Sequence, residues 1–499
     1  MNKRDEDRSD DGRHAPLAMD ADTFRRIGHG LVDQLADAMA AVGTGRVTAD
    51  ETPVEVRAAV TRGGPLPESG SDPATLLTEA THRLFAHSLF NAHPRFLGYI
   101  TAPPAPIGVL GDFVASALNA NIGSWRLAPA ATEIECETVR WIAEFIGYPS
   151  DTAGLLVSGG NMANFVGFFA ARAARATWNV RQDGVVDEHG RRLVLYASAE
   201  THTWIQKAAD LSGLGTDAIR WIPTDDGLRM DVAALESRID EDIAAGHVPF
   251  LVVGTAGSVS TGAVDPLPLL SEICQTRGLW FHVDGAYGGF AAAVPEAPDD
   301  LRGLAFADSV AVDPHKWLYA PLEAGCALVR DAAALRGTFS YHPPYYHFDE
   351  YQNFVDYGMQ NSRGFRALKV WLALQHAGAA GYRTMIADDM RLSRQLADAV
   401  ARHPSLELVT QALSITTFRF VPERLRARIG QADAEAELNT LNEKILDRIQ
   451  RGGRAFVSNA VVGGRYVLRA CVVNFHTTPA DIDALPGIIV DTARQEELV

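Results

Sequence analysis

The sequence predicts an α/β fold, a mostly parallel central sheet with a small C-terminal α+β domain behind it. Between about residues 150 and 330, short apolar runs near 155–158, 193–197, 219–222, 250–254, 279–284, 309–312 and 325–329 alternate with helical stretches such as 231–245 and 266–277. Several runs are continuous and β-branched, the pattern of strands covered on both faces. Beyond a helix expected at about 364–378, helical segments at 383–402 and 432–451 mix with β-rich pieces at 413–420 and 466–474.

Taken in order, residues 1–20 are dense in charge and read as a disordered tail. Residues 21–41 place Phe24, Ile27, Leu31, Leu35 and Met39 at helical spacing, with Asp22 or Thr23 near the start. The Pro- and Gly-rich stretch 43–74 reads as a linker-like connection. The expected organisation is a tail (1–20), an N-terminal helical segment (21–90), a large α/β domain (91–378) and a small α+β domain (379–499).

A formal charge of −17, from 45 basic and 62 acidic residues, argues against nucleic acid or an anionic membrane as the main partner. Cys136, Cys274, Cys326 and Cys471 are scattered without C-x-x-C spacing, which fits reduced thiols in a cytoplasmic protein rather than a zinc or disulfide framework. No stretch has the length and apolarity of a membrane span.

The chemistry concentrates in two segments. Asp313-Pro314-His315-Lys316-Trp317 follows the strand-like Ser309–Val312, and Lys316 lies 32 residues after Asp284 of His282-Val283-Asp284-Gly285-Ala286-Tyr287. A lysine at the end of a buried strand is desolvated, which favours the neutral amine that a Schiff base requires. Asp284, ending the apolar run Leu279-Trp280-Phe281, could pair with a protonated pyridine nitrogen. Alone, Asp284 would read as a turn cap and Lys316 as a snorkelling side chain. A metal reading also stands, because His282, Asp284, Asp313 and His315 form two pairs at i, i+2 spacing, on one face of a strand. A separate phosphate signal lowers it. Ser158-Gly159-Gly160-Asn161 sits between Gly154–Val157 and a helical stretch from Phe165 to about Trp178, a junction that turns free N–H groups toward a dianion. Neither G-x-G-x-x-G nor a P-loop is present there.

Together with Thr201-His202-Thr203 and Gly254-Thr255-Ala256-Gly257, these motifs resemble the group II pyridoxal-phosphate decarboxylases, which include aromatic-L-amino-acid, histidine and glutamate decarboxylases. Further matches are His93-Pro94-Arg95-Phe96, Pro129-Ala130-Ala131-Thr132-Glu133 and the segment from Arg363 to Trp371. The resemblance runs from about residue 19 to the C-terminus. It implies a type I aminotransferase-like fold, pyridoxal 5'-phosphate as cofactor, an amino acid as substrate, and a homodimer with its active sites at the interface. By the same resemblance Lys316 holds the cofactor, His202 stacks on its ring, Asp284 pairs with the ring nitrogen, Ala286 packs against the ring and Thr255 lies beside it. Gly160, Asn161 and His315 lie near the phosphate. For His202 alone, an ordinary polar residue at a strand–helix junction would be the plainer reading. Asp313 departs from the asparagine of several animal relatives. A carboxylate beside a phosphate would be repulsive, so it is not assigned there.

The aromatic, Pro-containing segment 340–357 suits a lid. In the family a tyrosine on this loop returns a proton to the substrate carbon, and ungapped counting from Lys316 places Tyr345 there, with Tyr346 next to it. Related aldehyde synthases carry phenylalanine at that position. The plainer alternative is an aromatic that only shields the site. Tyr99 matches the substrate wall of aromatic decarboxylases, whereas Gly123 stands where those enzymes tend to place an aromatic, which implies a roomier pocket. Arg363 is a candidate for the substrate carboxylate or the cofactor, or else a structural ion pair. The expected reaction is decarboxylation of an aromatic or bulky apolar L-amino acid to a primary amine and CO2. Alternatives are an acidic amino acid, oxidative deamination to an aldehyde, and a non-catalytic scaffold.

Overall fold

The computed structural model describes residues 15–342 and 351–497. The first part of the expected tail, and Tyr345 and Tyr346, lie outside the described residues. The chain divides after Phe90 into two compact units.

In the first unit, the helix Ala21–Ala41 is capped by Asp20, whose carboxylate accepts from the Thr23 backbone N–H, so the cap lies just before the Asp22 or Thr23 that the sequence suggests. The expected linker 43–74 instead contains the helix Pro53–Val60 and the first residues of Pro73–Ala86. Both prolines sit in the first turn, where a missing N–H costs nothing, so they mark helix starts rather than breaks. Thr52 and Glu55 close a reciprocal capping box at the first of them.

The second unit is built on a seven-stranded sheet: β1 (Ala153–Val157), β2 (Leu193–Ser198), β3 (Ile219–Ile222), β4 (Val248–Thr255), β5 (Trp280–Asp284), β6 (Ser309–Val312) and β7 (Gly325–Val329), in the order β1-β7-β6-β5-β4-β2-β3. Strand β7 runs antiparallel to both neighbours, and the pairs from β6 to β3 are parallel. The residues of β2, β5, β6 and β7 are all buried, which is why these strands read as unbroken apolar runs.

The helix Gly160–Arg175 starts five residues earlier than expected. Gly159 turns the chain from β1 into it at φ 89°, ψ 178°, backbone that only glycine adopts freely. Helix Ala367–Arg402 is interrupted at Gly378 (φ 65°), the break between the two expected helices. Its second half packs on a four-stranded antiparallel sheet, β8 (Leu406–Ala412), β9 (Ile415–Phe420), β10 (Ser458–Val462) and β11 (Arg465–Cys471), in the order β10-β11-β9-β8. Strands β8 and β10 were not expected, although Gly463-Gly464 between β10 and β11 is a hairpin signal. Among the described residues, no helix is long and apolar enough to cross a membrane.

Candidate active site

The carboxyl ends of β1, β4, β5 and β6 point to one side of the sheet, and a cavity of about 410 Å³ opens there. Its lining includes Gly160 and Asn161 after β1, Thr255 at the end of β4, Asp284 and Ala286 at the end of β5, and Asp313, His315 and Lys316 after β6. His202, on the loop after β2, and Tyr99 line it as well, whereas Arg363, also nominated by the sequence, does not. Open parallel sheets place ligands at this edge because the following loops and helix N-termini converge on it.

Asp284 is 7% exposed and held by two donors: Trp204 Nε1–H at 2.7 Å on Oδ2 and the Ala286 backbone N–H at 3.1 Å on Oδ1. Lys316 Nζ lies 3.0 Å from Asp313 Oδ2. Asp313 therefore faces the cavity lysine, and its carboxylate also packs against Gly160, where an added Cβ would lie 2.7 Å from Oδ2. His202 is exposed at the cavity mouth, and partial desolvation holds its imidazole below the usual pKa against the opposing pull of Asp284. Burial likewise lowers His315, whose Nδ1 sits 2.7 Å from the Ala324 carbonyl.

His282 does not reach the cavity. Its Nδ1 pairs with Ser309 Oγ and its Nε2 with Asn164 Oδ1, each at 2.8 Å, and desolvation pushes its pKa down to about 4. With both ring nitrogens engaged, it is not placed to join Asp284 on a metal, and no group of three or more metal-ligating side chains occurs among the described residues.

Arg363 is elsewhere. It is 3% exposed, donates to the Glu135 carboxylate and to the carbonyls of Ile122 and Leu156, and lies over the Phe354 ring. The structural ion pair is thus its observed place, and the substrate-carboxylate candidacy is not supported. Gly123 is not a cavity residue either: a Cβ there would meet the Asn361 carbonyl at 2.4 Å, so the glycine serves close packing.

Sequence reasoning missed Arg469 on β11. It is 2% exposed and lines the cavity, with Nη1 donating to Ser458 Oγ (2.9 Å) and the Tyr99 carbonyl (3.3 Å), while Nε and Nη2 are buried without a hydrogen-bond partner. A lone arginine inside the apolar run from Val467 to Val473 was the available signal, because a charge in a buried strand needs a reason.

The donor set fits pyridoxal phosphate. A lysine amine, a buried carboxylate at a strand end, a glycine-led helix start and small Ala286 face one space, and the buried Thr255 Oγ1 has no hydrogen-bond partner among the described residues. Residues 66–421 match the family model described as the pyridoxal-dependent decarboxylase conserved domain. The chain belongs to this family. Among similar proteins, the aromatic-L-amino-acid decarboxylase of Bacillus atrophaeus is 33% identical over 93% of this chain and 94% of its own. Phenylacetaldehyde synthase of Petunia hybrida is 30% identical, over 91% of each chain. The crystal structure of Oryza sativa TDC with PLP and tryptamine superposes with a TM-score of 0.88 at 28% identity, covering 97% of this chain and all of that one. The protein is a pyridoxal-phosphate-dependent amino-acid decarboxylase, with the mixed central sheet and small antiparallel C-terminal sheet described above.

Proposed function

We propose that this decarboxylase converts an aromatic or bulky apolar L-amino acid to its primary amine and CO2, using Lys316, Asp284, His202 and Arg469 around one cavity. The convergence of Lys316 and Asp284 on that cavity is the observation that carries the reading.

Bound pyridoxal phosphate supplies an electron sink for the pair left on the α-carbon when CO2 departs. Lys316 would supply the amine that holds the cofactor. Asp284, kept in orientation by Trp204 and Ala286, would hold a proton on the pyridine nitrogen. The backbone N–H groups that begin the helix Gly160–Arg175, with Asn161 and His315 nearby, suit the phosphate. His202 and Ala286, both lining the cavity, would flank the ring, and Thr255 would offer its hydroxyl. Arg469 presents its unpaired N–H groups to the substrate α-carboxylate. Tyr345 is the proposed proton donor to the α-carbon.

The lining also supports the substrate class. Among the described residues, Lys316 and Arg469 are its only lysine and arginine, and burial disfavours the charged forms of His202 and His315. Once Arg469 takes the α-carboxylate and Lys316 the cofactor, an acidic side chain finds no further lysine or arginine among the described lining residues. Tyr99, lying against the Phe456 ring at 5.9 Å, with Ile100 and Val259, offers apolar surface instead.

A homodimer belongs to the same proposal, supported by Leu110, Val114 and Leu118, which lie exposed at four-residue spacing along the helix Pro106–Leu118 with exposed Leu127 beyond it. The free cysteines suit a reducing, cytoplasmic setting.

The deciding experiment is the absorption spectrum with pyridoxal phosphate, beside Lys316→Ala, then product analysis across a panel of L-amino acids. A visible band lost in the variant, with equal CO2 and amine from aromatic substrates, supports the reading. Aldehyde and ammonia would move the protein to the chemistry of the Petunia hybrida relative, and turnover confined to acidic substrates would overturn the specificity.

A further inference from the structure

Three residues beyond the cavity lysine, the chain is held by a group that the proposed chemistry does not use. Asp389, on the helix Ala367–Arg402, is 2% exposed and has no cationic partner within hydrogen-bond reach among the described residues. Its Oδ2 accepts from Trp317 Nε1–H at 2.9 Å and from the Tyr319 hydroxyl at 2.7 Å. Two turns earlier on the same helix, Tyr382 donates its hydroxyl to the Leu318 carbonyl at 3.0 Å. One helix face thus binds each of the three residues after Lys316.

The turn needs such a hold. Tyr319 has φ 53°, left-handed backbone that a tyrosine rarely adopts, and its carbonyl is taken by the Ala105 N–H at 2.7 Å. Trp317 is buried and stacks on Tyr287, a cavity residue, at 4.9 Å. An unpaired carboxylate in an apolar core is unfavourable, and a hydrophobic residue of similar volume would pack there without that penalty. The carboxylate's distinct contribution is to bring two donors from one turn onto one oxygen.

The geometry points to Asp389 as a positioning residue that fixes Lys316 through Trp317 and Tyr319. This rests on Lys316 being the cofactor lysine. None of Asp389, Trp317 and Tyr319 lines the cavity, so the effect is transmitted through the backbone of the turn.

Asp389 also brings pH dependence. Desolvation pushes its pKa up to about 7, opposed by the hydrogen bonds from Tyr319 and Trp317 and from the Asn474 backbone. Asp388 adds a raising charge, while the facing tyrosines Tyr319 and Tyr382 and the neighbouring Cys471 are themselves shifted upward by burial and stay neutral across that range. Below about pH 7 the acid is protonated and is a poorer acceptor for both donors, so the turn loosens on acidification.

The test uses the full chain loaded with pyridoxal phosphate and compares Asp389→Asn, Trp317→Phe, Tyr319→Phe and Lys316→Ala. The visible band of the wild type should show a pH midpoint near the Asp389 value that is absent from Asp389→Asn. Measured well above that midpoint, cofactor capture in that variant should slow and kcat should fall roughly 10- to 100-fold with KM unchanged, as expected for a small misplacement of a reacting group. Trp317→Phe and Tyr319→Phe, which keep ring packing, should each give part of the effect and add nothing in the Asp389→Asn background. An unchanged band, midpoint and kcat in Asp389→Asn, or strictly additive losses of thermal stability with a normal band, overturns the inference. If Asp389→Asn fails to fold, the two phenylalanine variants decide by the same readouts. A band that survives Lys316→Ala overturns the assignment of Lys316 itself, an outcome distinct from the failure of Asp389.

Discussion

Lys316 Nζ lies 3.0 Å from Asp313 Oδ2, and the other carboxylate oxygen of Asp313 is buried without a hydrogen-bond partner. The Lys316 amine must leave this contact before it can attack an aldehyde, and a neutral amide would hold it less tightly than a carboxylate does. Asp313→Asn should therefore speed capture of pyridoxal phosphate by roughly tenfold, equivalent to about 1.4 kcal/mol of lost attraction. Stopped-flow growth of the visible band measures it. Equal rates would mean that the pair opens at no cost before capture.

Trp204 bears on Asp284 in a comparable way, because it supplies one of the two hydrogen bonds that hold that carboxylate among the described residues. Trp204→Phe keeps the ring's bulk and removes the N–H. A hydrogen bond to a charged group contributes about 1.5–3 kcal/mol, so kcat should fall by roughly 10- to 100-fold. The loss should appear as a displaced cofactor spectrum at unchanged thermal stability. A normal spectrum with a lowered melting temperature would reduce Trp204 to a packing residue.

Arg469 separates substrate from product. The amino acid has an α-carboxylate and the amine does not, so Arg469→Met should raise KM for the amino acid by about 100-fold while leaving inhibition by the product amine within a factor of about two, given the 2–5 kcal/mol typical of a buried charged contact. Equal weakening of both ligands would show that Arg469 only supports the Tyr99 wall, through its hydrogen bonds to the Tyr99 carbonyl and Ser458.

Why Lys316, Asp284 and Gly160 could be read from the sequence while Arg469 could not follows from how each is placed. The first three end or directly follow buried strands whose apolar runs are visible in one dimension, and parallel topology then sends all such ends to one edge. Arg469 comes from a separate antiparallel sheet, and its partners Tyr99 and Ser458 lie 370 and 11 residues away along the chain. Nothing local records that meeting. Arg363 shows the converse problem, since a conspicuous arginine beside a family motif says nothing of which carboxylate it faces. The helix at Pro53 was hidden for a different reason, because proline marks a break or a start according to what precedes it, and Thr52 with Glu55 made it a start.

The Arg363–Glu135 pair offers a test in which stability and catalysis come apart. Both side chains are buried, Glu135 also accepts the Leu156 backbone N–H at 2.9 Å, and Arg363 returns to the Leu156 carbonyl at 2.7 Å, so the pair ties the helix Pro129–Phe145 to the centre of β1. Arg363→Met leaves a carboxylate buried with no cation and should cost about 3–5 kcal/mol. Replacing both partners, as Arg363→Met with Glu135→Leu, removes the stranded charge and should recover a large part of that loss, because two apolar groups can occupy the space of a buried ion pair. Denaturant unfolding gives the two energies, and KM for the preferred amino acid should stay within about twofold of wild type in the double variant, as expected for a residue outside the binding cavity. A double variant that is stable yet has a strongly raised KM would return Arg363 to the substrate.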